Sequence, residues 1–279
     1  MRVTVQSPGR GSSTCVVKVG SRSQIQSEAD ALRLLAPPGI AIPRVVLDPL
    51  ALTDGKSSFV VLAVVPGRAL PWCGTTALAD ADLACRLAIK AIETLHGLTD
   101  QVSDLDRYST LPRHTLIEEL ARVKESAGAW KEEPLVRRAL DMSARVIPTV
   151  PSKLVFSNGD YNPLNFLHQG EKVVGYVDFE HACFENPYVG LAKFIIWSTD
   201  EFGWGTGQRT GLVERFLFRR GVSRNEFAPI LLLRALTHLF QEPPGEDGAL
   251  SAGPSHVLSI IEDCCAVMRG EIDGNGTTR

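Results

Sequence analysis

Asp160, Asn165 and Asp178 are the residues of this chain whose types and spacing suit chemistry. Asp160 and Asn165 stand five positions apart in Ser157-Asn-Gly-Asp-Tyr-Asn-Pro-Leu-Asn165, a polar stretch stiffened by Pro163. Asp178 follows an apolar run, Val173-Val-Gly-Tyr-Val177, and precedes Phe179 and Glu180. Phosphoryl transfer from a nucleotide needs a carboxylate near the attacking hydroxyl and oxygen ligands that hold Mg²⁺ on the phosphates. For that chemistry Asp160 would orient the acceptor hydroxyl and take its proton. The amide oxygen of Asn165 and the carboxylate of Asp178 would bind the metal, both being hard oxygen donors. The bland alternative is a polar turn and a hairpin with stray acids. Three spaced residues and both flanking strands speak against it.

The elements that must position these groups are short. Leu154 to Phe156 reads as a buried strand stopped by the turn residues Ser157, Asn158 and Gly159. Phe166 to His168 can pair with Val173 to Val177 across Gln169-Gly170, so the second strand delivers Asp178 at its end. The protein-kinase signature has the same Asp-to-Asn spacing and a later Asp-Phe-Gly. More specifically, Asn158-Gly-Asp-Tyr-Asn-Pro-Leu-Asn165 followed by Val177-Asp-Phe-Glu180 resembles the aminoglycoside phosphotransferase and choline kinase superfamily, whose catalytic motif is His-Gly-Asp-x-x-x-x-Asn. The resemblance implies a two-lobed, protein-kinase-like α+β fold. A small mixed β-sheet lobe with one helix (1–65) would bind the nucleotide, and a larger, mainly helical lobe (66–279) would carry catalysis and the substrate. It implies ATP and Mg²⁺ as cofactors and the hydroxyl of a small molecule as acceptor. It gives Asp160 the catalytic role and makes Asn165 and Asp178 metal ligands. Glu180 stands where relatives carry Gly, Asp or Glu, and an acid there would touch a second metal. Asn158 replaces the family's His, chiefly a loop-supporting residue.

Toward the N-terminus, residues 2–6 and 14–19 alternate as strands, with Lys18 on the face of Val16. A helix follows from about Gln24 to Ala36, and Glu28 falls on its apolar stripe of Ile25, Leu32 and Leu35. A carboxylate facing a core is costly unless paired, and Lys18 is the natural partner. The resemblance gives Lys18 the nucleotide phosphates and makes Glu28 its brace. Gly9 and Gly11 invite a phosphate-loop reading, but Gly11 lies only seven positions before Lys18, which leaves no room for another strand. Pro8 to Ser13 is therefore a hairpin turn. By the family pattern the first strand and its nucleotide-covering loop are then missing, either because the true start lies upstream or because this lobe is reduced. Ile42 to Leu47 reads as a strand and Asp48 to Ser58 as a loop. Phe59 to Val65 is a continuous apolar run, expected as a strand buried on both faces and stopped by Pro66-Gly-Arg68. It resembles the hinge between lobes, with Leu62 behind the adenine and the backbone of Ala63 and Val65 receiving it.

The rest reads as helical. Helices are expected at Leu78–Leu98 (capped by Asp80 or Asp82), Arg113–Ser126, Glu133–Ile147, from near Pro187 to Ser198, and at 209–220, 224–241 and 254–269. Thr99–Pro112, His181–Pro187 and Thr199–Gln208 are expected loops, and Gly270–Arg279 a frayed tail. The resemblance implies an acceptor site in the helical lobe, which makes Trp197, Asp200, Glu201 and Trp204 candidates, and Glu242, Glu246 and Asp247 equally so; an ordinary polar loop with two packed tryptophans is the favoured bland alternative. The candidates do not choose between antibiotic, amino-alcohol and sugar acceptors.

With 279 residues, 44% hydrophobic and 22% charged, the chain has the apolar content for a substantial core. A net charge of −3 gives no reason to expect a nucleic-acid or membrane partner. The six cysteines lack zinc-ligand spacing and suit a reducing compartment. No apolar run reaches the length of a signal peptide or a bilayer span, which points to the cytoplasm. A function of a second class is a kinase-like protein with reduced catalysis that binds or regulates.

Overall fold

The computed structural model describes residues 2–7, 11–36, 40–70, 78–106, 110–197, 206–241 and 252–270. The chain divides into two compact units. One comprises residues 1–71, 77–113 and 155–184, and the other residues 72–76, 114–154 and 185–279.

In the first unit, β1 (Arg2–Ser7) and β2 (Gly11–Ser21) form an antiparallel hairpin with Ser7 opposite Gly11. The second strand starts at Gly11, so the connection is shorter than the expected Pro8–Ser13 turn. Helix α1 (Arg22–Leu35) starts two residues earlier than the apolar periodicity suggests. Ser21 sets that start: its hydroxyl accepts the Gln24 N–H, and the Gln24 side chain returns to the Ser21 N–H as a capping box. Strands β3 (Val45–Ala51) and β4 (Ser57–Ala63) complete a sheet of order β1-β2-β4-β3.

Two expectations need correction here. The strand expected at 42–47 runs instead to Ala51, and the loop expected from Asp48 begins at Leu52. Two register shifts against β4 absorb Pro49, which an edge strand tolerates because its missing N–H would face no partner. The apolar run in β4 does not bury both faces. Ser58, Val60 and Leu62 are buried, and the residues between them are half-buried. The buried face also bears Lys18, directly opposite Val60, and packs beneath α1.

The chain continues through β5 (Arg68–Ala69), α2 (Leu78–Gly97) and α3 (Thr99–Leu105). Helix α2 begins before Asp80 and Asp82, so neither caps it. The loop expected at Thr99–Pro112 is helical over its first seven residues, where a single apolar anchor, Val102, is fully buried. Strands β6 (Val155–Ser157), β7 (Phe166–Gln169), β8 (Lys172–Tyr176) and β9 (Cys183–Glu185) finish the unit, β9 reaching its boundary. They form a β5-β7-β8 sheet and a β6-β9 pair. The His181–Pro187 segment, expected as loop, thus contributes a strand: Phe184 donates its N–H to Pro112 and packs edge-on against Phe156.

The second unit is helical: α4 (Leu116–Ser126), a 3₁₀ turn at Gly128–Glu132, α5 (Pro134–Val146), α6 (Val189–Trp197), α7 (Thr206–Arg220), α8 (Arg224–Leu239) and α9 (Ala252–Arg269). Thr115 with Glu118, and Ser223 with Glu226, cap α4 and α8. The core gathers Leu120, Trp130, Val136, Ile196, Leu233 and Ile261 around α8. Buried ion pairs join Glu119 to Arg234 and Glu185 to Lys193. Asn186 supports the start of α6. Its side chain donates to the Pro151 carbonyl and accepts the Tyr188 N–H. Cys15, Cys85, Cys183, Cys264 and Cys265 are free and buried, and Cys73 lies outside the described residues. Among the described residues, no helix is long and apolar enough to cross a membrane.

Candidate active site

Lys18 projects from β2 under α1 and meets Glu28, whose side chain is 1% exposed, with Nζ 2.8 Å from Oε2. The same ammonium bonds to Asp178 and lies 2.9 Å from Glu180 Oε2. One cation therefore sits among three carboxylates, whose oxygens lie within 4.8 Å of one another. Burial alone would lower the Lys18 pKa, but Asp178, Glu28 and Glu180 outweigh it and hold the ammonium well above its usual range. Burial pushes Glu28 up, with Lys18 pulling it back. Lys18 and Glu28 meet as an ion-pair contact rather than a well-directed hydrogen bond.

The position of Asp178 follows from how its strand stops. Strand β8 ends at Tyr176, which donates its N–H to the Ala41 carbonyl at 2.9 Å. Val177 then turns its N–H to the Asn165 carbonyl at 3.0 Å. Asp178 follows with φ 65°, the one non-glycine residue with positive φ among those described. An Asp tolerates this left-handed conformation better than most residues, and such strained positions cluster at functional sites.

The loop from Asp160 to Asn165 is bonded internally. The Asp160 carboxylate accepts the Asn162 N–H at 3.2 Å and the Asn165 Nδ2 at 2.9 Å. Asn165 Nδ2 also reaches the Asp160 carbonyl, at 3.1 Å. The amide nitrogen is committed, so Oδ1 is the atom Asn165 can offer a metal. Asn158 is fully buried and donates to the Asp160 carbonyl at 2.8 Å, so the residue that replaces the family's His braces the loop backbone. Gly159 has φ 77°, and a Cβ there would overlap the His181 carbonyl. That contact seats the loop on the segment bearing Asp178 and Glu180. Gly159→Ala is accordingly expected to destabilise the fold by about 2 kcal/mol or more, combining overlap with left-handed strain. Urea denaturation reads this, and an unchanged midpoint would refute the proposed seating.

Leu62 is buried on the Lys18 face, opposite Val16. Ala63 donates its N–H to the Arg44 carbonyl at 2.8 Å. The Val65 side chain closes over Gly175, where no Cβ would fit. The structure thus brings Lys18, Glu28, Asp178 and Glu180 into one cluster and binds Asp160 to Asn165, the two groups sharing the Val177–Asn165 backbone bond. Asp200, Glu201, Trp204, Glu242, Glu246 and Asp247 lie outside the described residues, as does the side chain of Trp197. Sequence reasoning missed Ala41 and His181, which act through their carbonyls and so leave no side-chain signal. His181 Nε2 also lies 3.3 Å from Glu180 Oε1.

A lysine-bearing sheet, a helix glutamate, an Asp-to-Asn loop and a hairpin ending near Asp define a kinase-like phosphotransferase. The model of the phosphotransferase enzyme family matches residues 2–230, and the chain belongs to that family. It is a small-molecule kinase of the aminoglycoside phosphotransferase type. Among curated protein sequences none matches it significantly. Solved structures share the fold. A thermostable mutant of aminoglycoside phosphotransferase APH(4)-Ia with ADP and hygromycin B is 12% identical, with TM-score 0.69 over 95% of this chain and 89% of that one. The GDP complex of aminoglycoside 2'-phosphotransferase-IIIa is 16% identical, with TM-score 0.64 over 96% and 93%. APH(3'')-Id from Streptomyces rimosus, with ADP and streptomycin, is 18% identical, with TM-score 0.58 over 80% and 86%.

Proposed function

We propose that the protein transfers the γ-phosphate of ATP, with Mg²⁺, to a hydroxyl of an aminoglycoside or another antibiotic-like small molecule in the cytoplasm. The observation that carries this reading is the pair of bonded groups, Lys18 with Glu28 and Asp178, and Asp160 with Asn165. Asp160 orients the acceptor hydroxyl and takes its proton. Lys18, braced by Glu28, holds the nucleotide phosphates. Leu62 backs the adenine, and the backbone of Ala63 and Val65 receives it at the hinge between lobes 1–65 and 66–279. Asp178 and Glu180 bring carboxylate oxygens within 4.8 Å of one another, a donor type that suits Mg²⁺, and we assign them as its ligands together with Asn165 Oδ1. Bound there, the metal supplies charge neutralisation on the phosphates. The hygromycin B and streptomycin bound by the structural neighbours support an aminoglycoside acceptor. Carboxylates and aromatic faces at Asp200, Glu201, Trp197 and Trp204 would suit its amino groups and sugar rings.

Two measurements test the proposal. Mg·AMP-PNP is expected to raise the melting temperature, since a ligand at a hundred times its Kd adds about 2.7 kcal/mol. ATP consumption is then screened against aminoglycosides, other hydroxylated antibiotics, choline and small sugars. The second reading is a kinase-like binding protein with reduced catalysis. The absence of any thermal shift at millimolar Mg·ATP would support that reading and remove the first.

A further inference from the structure

We propose that Lys18 is an internal cation that fills the metal-ligand cluster of the nucleotide-free protein and so fixes the order of loading. Asp178 and Glu180 accept a divalent ion only when the nucleotide phosphates draw the ammonium away, while Glu28 keeps hold of it. The proposal rests on the nucleotide site assigned above.

Three observations support it. An ammonium has three N–H donors, and Nζ has three carboxylate neighbours, Glu28, Asp178 and Glu180. Its charge is surrounded by counter-charge within the protein itself. The space is also single: the three carboxylate oxygens lie within 4.8 Å of one another, so a divalent ion among them would meet the ammonium at close range. Finally, the carboxylates differ in burial. The Glu28 side chain is 1% exposed, against 33% for Asp178 and 18% for Glu180. Water can take over the charge of the two outer acids when Lys18 leaves them, but Glu28 would be left buried without a counter-charge. Lys18 therefore swings between partners with Glu28 as its pivot. The backbone bond from Val177 to Asn165 anchors the chain beside Asp178, so the exchange is a side-chain event.

The test is Mn²⁺ binding without nucleotide, followed by electron paramagnetic resonance of the free ion. Wild type is expected to bind at this cluster more weakly than about 1 mM. Lys18→Met combined with Glu28→Gln removes the ammonium and its buried counter-charge. That variant is expected to bind one Mn²⁺ at least about tenfold tighter, and adding Asp178→Asn should abolish the gain. Lys18→Arg, which keeps the charge, should exclude Mn²⁺ as wild type does. Equal affinity in wild type and the double variant overturns the proposal, as does a gain that survives Asp178→Asn. Should the double variant not fold, wild type still decides. Binding at tens of micromolar that weakens with Asp178→Asn overturns the internal cation, and its absence supports it. Calorimetry with AMP-PNP reads the nucleotide site separately. If nucleotide binds while the Mn²⁺ affinities are equal, the internal cation falls and the phosphotransferase reading stands. The converse pattern spares the internal cation and removes the nucleotide site.

Discussion

Asp160→Asn is expected to lower kcat by about a thousandfold while leaving the Kd for Mg·AMP-PNP within about threefold, because positioned general bases contribute on the order of 10²–10⁴. The thousandfold loss corresponds to about 4 kcal/mol of transition-state stabilisation. The geometry says why the change is not silent even before the proton is considered. The Asp160 carboxylate accepts two bonds, from the Asn162 N–H and from Asn165 Nδ2. An asparagine has one oxygen and one NH₂, so it can satisfy only one of these donors and must point a second donor at the other. With that oxygen on the Asn162 N–H, Asn165 would lose its side-chain partner at 2.9 Å and keep only the contact to the residue-160 carbonyl. Part of the lost rate would come from a misaimed Asn165 Oδ1 rather than from the missing base. The cycle Asp160→Asn, Asn165→Ala and the double variant separates the two. Residues acting as one unit are strongly non-additive, so the double variant should be little worse than Asp160→Asn alone. Full additivity would divide the pair into independent roles, and retained turnover in Asp160→Asn would remove the assignment.

The side-chain groupings were more legible in the sequence than the bounds of the elements around them. Asp160, Asn165 and Asp178 stand out because the chemistry expected of them restricts residue type and spacing, and both can be read without knowledge of packing. Glu28 was legible for a different reason: a carboxylate on an apolar stripe demands a counter-charge, and Lys18 supplies it. Tertiary context decided what was misread. A polar loop that buries one side chain, Val102, becomes helix, and Cys183 to Glu185 becomes a strand because Val155 to Ser157 lies waiting as its partner. Strand β4 looked doubly buried because Phe59, Val61 and Ala63 are apolar, yet those positions remain half-exposed on the face that α1 does not cover. Composition records what a residue tolerates, not which neighbour arrives. Local chemistry was the better guide where side chains bond to nearby backbone. Ser21, Thr115 and Ser223, each with an acid or amide three residues on, set helix starts that the apolar periodicity placed differently at two of the three.

Lys18→Met should cost about 3–5 kcal/mol in urea denaturation, the usual penalty for stranding one member of a buried ion pair. The cost falls on Glu28 because its carboxylate is 1% exposed and Lys18 is its charged partner. Asp178 and Glu180 lose the same cation but reach water, so their share is small. Adding Glu28→Gln removes the stranded charge and should restore most of the loss, leaving a large favourable coupling between the two sites. The sign of the pH dependence is a second check. Burial already holds the Glu28 pKa above the ordinary carboxylate value of 4.5, with Lys18 opposing. Removing Lys18 removes that opposition and raises the folded-state pKa further. A group whose folded pKa exceeds its unfolded value contributes stability below the unfolded pKa and loses it as pH rises through the folded one. The Lys18→Met protein should therefore be most stable in mild acid and weaken as pH climbs from 4.5, by up to about 1.4 kcal/mol per pH unit. The double variant should lack that slope. The wild-type contribution of Lys18 has the same sign in a different window, present in full below 10.5 and lost only in stronger alkali. A flat profile in Lys18→Met would mean that Glu28 finds another partner or water, and the brace assigned to it would have to be withdrawn.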